Sequence, residues 1–187
     1  GAFIEILIDA VKKGKIQAYS NLDDRFTTPL NVADFEQSIN GTSDSTMVED
    51  PITHEVTWVK TKTEFNIYSV TRYRVKEDWI FNRNTGRMEV RIMGLTPLMD
   101  RIDESTGEYR YSTPMFWLYY PNLRVILANY EVYNPRNDMK RMTWADYFDG
   151  HYFASYVLKT SGNNPLNQDL PNGLRGLQEG QDLVNKI

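Results

Sequence analysis

Lys76-Glu77-Asp78-Trp79-Ile80-Phe81-Asn82, then Arg83-Asn84-Thr85-Gly86, then Arg87-Met88-Glu89-Val90-Arg91-Ile92-Met93-Gly94-Leu95 reads as two strands and the turn between them. Aromatic and β-branched residues fill both arms, and such side chains suit a pleated, half-buried surface. Gly86 supplies the positive φ that a tight turn needs. In the second arm Met88, Val90, Ile92 and Gly94 alternate with Glu89, Arg91 and Met93. That alternation predicts a hairpin with one packed side and one mostly wet side.

Working outward, residues 56–61 and 65–75 are also dense in Val, Thr, Tyr, Ile and Phe, and are read as strands. In the second run Phe65, Ile67, Ser69, Thr71, Tyr73 and Val75 are expected on one face. Residues 100–113 read as a polar loop. Pro114 to Pro121 is short, apolar and bounded by proline, which predicts a buried strand. Leu123 to Tyr133 fits strand alternation in parts and helical spacing in parts.

Helices are expected at the flanks. Phe3, Leu7 and Val11, with Ile4 and Ile8 beside them, predict a helix over 2–13 that stops at Gly14. Lys15 to Tyr19 alternates like a short strand. Asn31 precedes Val32, Phe35 and Ile39 as the cap of a second helix. Thr143 and Asp146 form a capping pattern before Trp144, Phe148, His151, Ser155 and Leu158, which predicts a last helix over 143–158. Residues 40–56 read as a polar surface loop or a partly disordered insertion. Asn40-Gly41-Thr42 within them is a formal glycosylation sequon, read here as a turn.

The expected fold class is therefore α+β: a single domain over 1–160, an antiparallel β-sheet flanked by a few α-helices. Residues 161–187 hold prolines, glycines and asparagines, with Leu170, Leu174, Leu177 and Leu183 as anchors, and are expected to form an extended or disordered tail.

Composition removes several function classes. The chain has 187 residues and no cysteine, so disulfides, thiolate metal sites and cysteine nucleophiles are excluded. A net charge of −4 argues against nucleic acid as a partner, because phosphate contacts need a concentrated basic face. The sequence holds no GxGxxG, P-loop, nucleophile elbow or HExxH. Its two histidines are far apart: His54 reads as exposed in the polar loop, and His151, on the last helix among aromatics, as structural. Glu77 and Asp78 alternate on a strand and point to opposite faces, so they cannot act together on one bond. No catalytic, metal-binding or cofactor-binding residue is assigned, and no cofactor is expected.

What stands out is 12 Tyr, 8 Phe and 4 Trp, and more than half of these rings are expected in an aromatic core. Some of the others are expected to line an association surface. Candidate interface residues are Arg136, Asn137, Asp138, Lys140 and Arg141 in the connector 134–143, which carries both signs of charge, and Leu170, Leu174 and Leu177 in the tail. Two other readings stand beside assembly: a carbohydrate- or peptidoglycan-binding module using exposed rings, and a hydrolase with a carboxylate pair.

The order of motifs from Val75 to Tyr156 resembles the GldN/PorN family. The segments that carry it are Val75 to Asn82, Met88 to Pro97, Pro114 to Pro121, Asn129 to Asn134, Asn137-Asp138, Arg141 to Asp146 and Phe153 to Tyr156. The resemblance implies a periplasmic, non-catalytic structural component of the type IX secretion and gliding motility machinery of Bacteroidota. It implies a ring, formed by self-association and with an outer-membrane lipoprotein partner, GldK or PorK. Membrane contact is expected to be indirect, through that lipoprotein at the inner face of the outer membrane. The chain opens on Gly1-Ala2-Phe3 without an initiator methionine, which leaves room for the export signal that the resemblance implies.

Overall fold

A computed structural model describes residues 2–40, 44–49, 51, 53, 55–61, 65–103, 105–132 and 141–158. The chain divides into two compact units, Gly1–Asp146 and Tyr147–Ile187.

The first unit is an antiparallel sheet with helices, the α+β class read from the sequence. Helix α1 is Phe3–Lys12 and helix α2 is Val32–Asn40. Strands follow as β1 Ala18–Tyr19, β2 Asp44–Glu49, β3 Val56–Thr61, β4 Val70–Asn82, β5 Arg87–Ile102, β6 Tyr109–Pro114 and β7 Trp117–Tyr119. Helix α3 is Tyr120–Leu127, and α4 is Trp144–Asp149. The main sheet runs β1-β7-β5-β4, with β6 also paired to β5, while β2 and β3 form a two-stranded sheet of their own.

Local chemistry explains the helix ends. Gly14 takes φ 67 after α1, and the amides of Gly14 and Lys15 close on the carbonyls of Val11 and Ala10. That is the double bond pattern of a glycine stop. The Asn31 side chain accepts the Asp34 amide at 2.8 Å and caps α2 as expected. Thr143 and Asp146 form the reciprocal capping pair at α4, at 3.1 and 3.0 Å.

β5 is the spine of the unit. Residues 94–99 are all buried, because the sheet is covered on both faces there. On one face Phe3 of α1 meets Tyr73 edge-on at 5.2 Å and lies 4.4 Å from Trp144. Ile4, Leu7, Leu95, Leu118 and Leu123 are buried with them. On the other face the loop residue Phe26 lies across Gly94. Its ring sits edge-on to Tyr19, Trp117 and Tyr119 at 5.8, 6.1 and 5.5 Å, with the Lys76 ammonium 5.5 Å from its centroid. A Cβ on Gly94 would overlap the Phe26 ring.

Several expectations change. The polar run 40–56 contains strand β2, paired to β3 from Asp44↔Thr61 to Glu49↔Val56. Cross-strand pairing outweighed its polar composition. Gly41 and Thr42 of the sequon lie outside the described residues, as does His54. The run 65–75 is not one strand: Ile67–Ser69 is a 3-10 turn capped by the Asn66 side chain, and β4 begins at Val70. A bulge between Val70 and Arg72 then breaks the alternation. The loop expected at 100–113 is a hairpin instead, because β5 runs on to Ile102 and β6 returns from Tyr109 through a turn with Gly107 at φ 71.

Pro114 to Pro121 is only partly strand. Met115 to Leu118 are buried, but Tyr120 and Pro121 open α3, since proline at a helix start sacrifices no intrahelical bond. The stretch from Leu123 resolves as helix to Leu127.

Of the second unit, residues 147–158 are described. The helix expected over 143–158 ends at Asp149. His151 takes φ 51, and the amides of His151 and Tyr152 close on the carbonyls of Phe148 and Tyr147. This stop is built without glycine at the left-handed position, which is why periodicity alone missed it. Within the unit Phe148 is buried, and Phe153 packs near Tyr147 and Phe148 at 6.2 and 5.6 Å.

Candidate assembly surface

The hairpin that decides the fold outruns the sheet that it belongs to. β7 pairs with β5 only at Gly94 and Leu95, and β6 pairs with it only from Leu98 to Ile102. Among the described residues no strand pairs with Arg87 to Met93 except β4, and none pairs with Asp78 to Asn82 except β5. The distal half is a two-stranded ribbon with both edges open, closed at its tip by Gly86. The Asn82 side chain accepts the amides of Asn84 and Thr85 there, at 3.0 and 3.3 Å.

The ribbon has two unlike faces. Directly opposed residues share a face. Trp79↔Val90 and Phe81↔Met88 place four apolar side chains on one side, continuous with Glu77↔Ile92 nearer the body. Asp78↔Arg91, Ile80↔Glu89 and Asn82↔Arg87 make the other side polar around one isoleucine. The apolar side is open to solvent: Phe81 is 57% exposed, Trp79 38% and Met88 36%. Strict alternation placed Met88, Val90, Ile92 and Gly94 together on a packed side, and only part of that holds. A register shift between Lys76↔Gly94 and Glu77↔Ile92 leaves Met93 as an extra residue. That bulge turns Ile92 away from Gly94's face and onto that of Leu95, and of the alternating set only Ile92 and Gly94 are buried.

Of the residues singled out as interface candidates, Arg136, Asn137, Asp138, Lys140, Leu170, Leu174 and Leu177 lie outside the described residues. Arg141 is described. It is exposed, and its guanidinium stands 3.7 Å from the Glu131 carboxylate. The chain on either side of the connector is tied together: Val132 donates to the Met142 carbonyl at 2.8 Å, and Trp144 to that of Tyr130 at 2.9 Å. Arg141 thus has a partner within its own chain, in a solvent-screened pair of little strength.

A polar cluster sits where β4, β5 and β6 meet. The Asp100 carboxylate accepts from Thr71 at 2.9 Å, Arg72 at 3.0 Å and Ser112 at 2.6 Å. Arg72 also donates to Ser112 Oγ at 2.6 Å and lies over the Tyr109 ring, 5.3 Å from its centroid. Burial alone would lift the Asp100 carboxyl, but the hydrogen bonds from Ser112, Arg72 and Thr71 outweigh it and hold it below the usual carboxylate range. The bulge at Thr71 is what lets successive residues reach one acceptor. These bonds occupy Asp100 and Ser112 with one another and with their neighbours, so the cluster fastens three strands.

Near it a groove of about 450 Å³ is lined by Ser20, Asn21, Asp34, Gln37, Arg101 and Thr113, with Leu30 and Met99 among its apolar walls. No aromatic ring lines it. Among the described residues, no group of three His, Asp or Glu is placed to hold a metal ion. No helix among them is long and apolar enough to cross a membrane.

The apolar ribbon face is the feature that the sequence reading did not single out as a site. Its signal was present in the alternation of Met88 and Val90 with Glu89 and Arg91; what no pattern gives is that neighbouring strands stop short of it.

Over residues 1–187 the chain matches the family described as "Gliding motility associated protein GldN". No curated protein matches it.

Proposed function

We propose that this chain, which belongs to the GldN family of gliding motility associated proteins, works as a non-catalytic structural subunit of the type IX secretion and gliding machinery. It acts in the periplasm by assembly, in a ring beneath the outer membrane with a GldK- or PorK-like lipoprotein. The observation that carries this reading is the ribbon arm. A two-stranded hairpin alone is marginal in water, and open edges with an exposed apolar face invite pairing. A packed body holding out such an arm is suited to holding other subunits. The glycan-binding alternative has less support, because the exposed Trp79 and Phe81 do not line the groove.

The test is recovery from the native envelope. The tagged chain is expressed with its export signal and purified after mild solubilisation. The lipoprotein and further copies of the chain are expected to come with it in one large particle. Recovery as a lone soluble monomer sinks the reading.

A further inference from the structure

We propose that neighbouring copies of this chain join head to tail, with the apolar face of one copy's arm lying over the β5–β6 hairpin of the next copy. The inference rests on the assembly reading and deepens it, by naming the two unlike surfaces that meet.

β5 carries a hairpin at each end, and both hairpins leave apolar side chains in water. On the arm these are Trp79, Phe81 and Met88. At the other end Ile102 and Tyr109 are directly opposed, so they share a face, and each is 56% exposed. Arg72 lies over the Tyr109 ring, which leaves the rest of that residue open. Met88 and Ile102 stand about 45 Å apart along the extended β5, so the two patches cannot cover each other within one chain.

The turns beside the two patches carry opposite charge. Residues 83–87 hold Arg83 and Arg87 and no acid. Residues 103–108 hold Asp103, Glu104 and Glu108 and no base. Arg110, just outside the second turn, pairs with Asp103 at 2.6 Å. Arg83, Arg87 and the Glu108 carboxylate make no ion pair among the described residues, so they stand ready for a charge from outside. Two arms brought together set arginine against arginine, and two β5–β6 hairpins set acid against acid. An arm on a β5–β6 hairpin sets cation against anion beside two apolar patches, so charge selects the unlike pair and penalises the like ones. A contact between unlike surfaces is heterologous. It leaves each copy with its other hairpin free for a further neighbour, and it closes into a ring where the rotation between copies allows. Burial of Trp79, Phe81 and Met88 against Ile102 and Tyr109 drives it.

The chain contains no cysteine, so introduced thiols report the contact without background from this chain. Phe81→Cys and Ile102→Cys place one thiol on each surface, both at exposed positions. With both in one chain, and the native envelope treated with a short bis-maleimide, a ladder of dimer, trimer and longer multimers of this chain is expected on a denaturing gel. Either single variant alone is expected to stay monomeric, and the two single variants expressed together are expected to stop at the dimer. Arg83→Glu with Arg87→Glu, added to the double-cysteine chain, is expected to remove the ladder, and Glu108→Arg added to that is expected to restore it. Unchanged thermal unfolding of each variant checks that the body is intact.

The proposal is overturned if the double-cysteine chain gives no ladder, if either single variant links to itself, if the product is a link to a protein of another mass, or if Glu108→Arg leaves the charge-reversed arm unlinked. If copies and lipoprotein still co-purify with an unlinked double-cysteine chain, this contact fails and the assembly reading stands. If no copies co-purify with the unaltered chain, the assembly reading fails and the contact with it.

Discussion

Gly94→Ala tests the packing that anchors the arm to the body. Its backbone does not need glycine for φ, since only Gly14, Gly86 and Gly107 take positive values among the described glycines. The restriction is space: the new methyl overlaps the Phe26 ring and comes within 3.2 Å of Trp117. The ring must tilt or leave. If it leaves, three edge-on ring contacts and one cation–π contact go with it. Each ring pair contributes about 0.5–1.5 kcal/mol beyond area burial. Phe26 is only half-buried, so partial relaxation lowers the sum, and overpacking of this kind costs about 1–3 kcal/mol. The expected result is a fall in urea midpoint worth about 2 kcal/mol, with the slope of the transition unchanged. A double-mutant cycle gives the decisive number. With Phe26→Ala already present, the methyl enters vacated space, and the added cost of Gly94→Ala should drop below about 1 kcal/mol. Additive costs, or a neutral Gly94→Ala, would refute the account of Phe26 as the group that occupies glycine's missing side chain.

Asp100→Asn should destabilise by about 1–3 kcal/mol near pH 7, the range for breaking hydrogen bonds to a charged group. Because the folded carboxyl sits below its ordinary value, its contribution is full above about pH 4 and is lost as pH falls through that lower value. The variant's acid unfolding curve should therefore be flatter than wild type below about pH 4, and a parallel curve counts against the cluster. Asn31→Ala should cost about 1 kcal/mol by urea unfolding, and Asn31→Gly only a few tenths, since the lost interaction is the cap to Asp34. Gly86→Val should loosen the arm tip, where φ is 66, seen as faster amide exchange at residues 82–87 while residues 94–99 keep their protection.

Much of the fold was legible because its signals are local. The caps at Asn31 and Thr143 and the stop at Gly14 are short-range bonds between neighbours in sequence, and each lies where the residues put it. The hairpin turn at Gly86 is of the same kind. What failed depended on distant partners or on a backbone state the side chain does not advertise. β2 looks like a loop by composition and becomes a strand only by pairing with β3. His151 stops α4 in a left-handed conformation that glycine usually marks. The connector and tail residues chosen as interface lie outside the described residues, apart from Arg141.

The Met93 bulge shows why the arm itself was the hardest part to read. By alternation alone, Met88, Val90, Ile92 and Gly94 form one face, and Gly94 lies on the face that Phe26 covers. An unbroken strand would then have carried the arm's apolar residues on from Phe26's side of the sheet. One inserted residue reverses this, so Trp79, Phe81, Met88 and Val90 extend the side of Tyr73 and Leu95, the side on which α1 packs. The same residue pattern is therefore core on one side of Met93 and surface on the other. Nothing in the side chains of 87–95 distinguishes the two halves; the distinction comes from where β6 and β7 stop along β5. An apolar face that helices cover at the body and that continues bare into a ribbon is, in energetic terms, an unfinished sheet. What completes it is a group that lies over that face, since covering Trp79, Phe81, Met88 and Val90 removes their apolar surface from water and leaves the pairing of β4 with β5 intact.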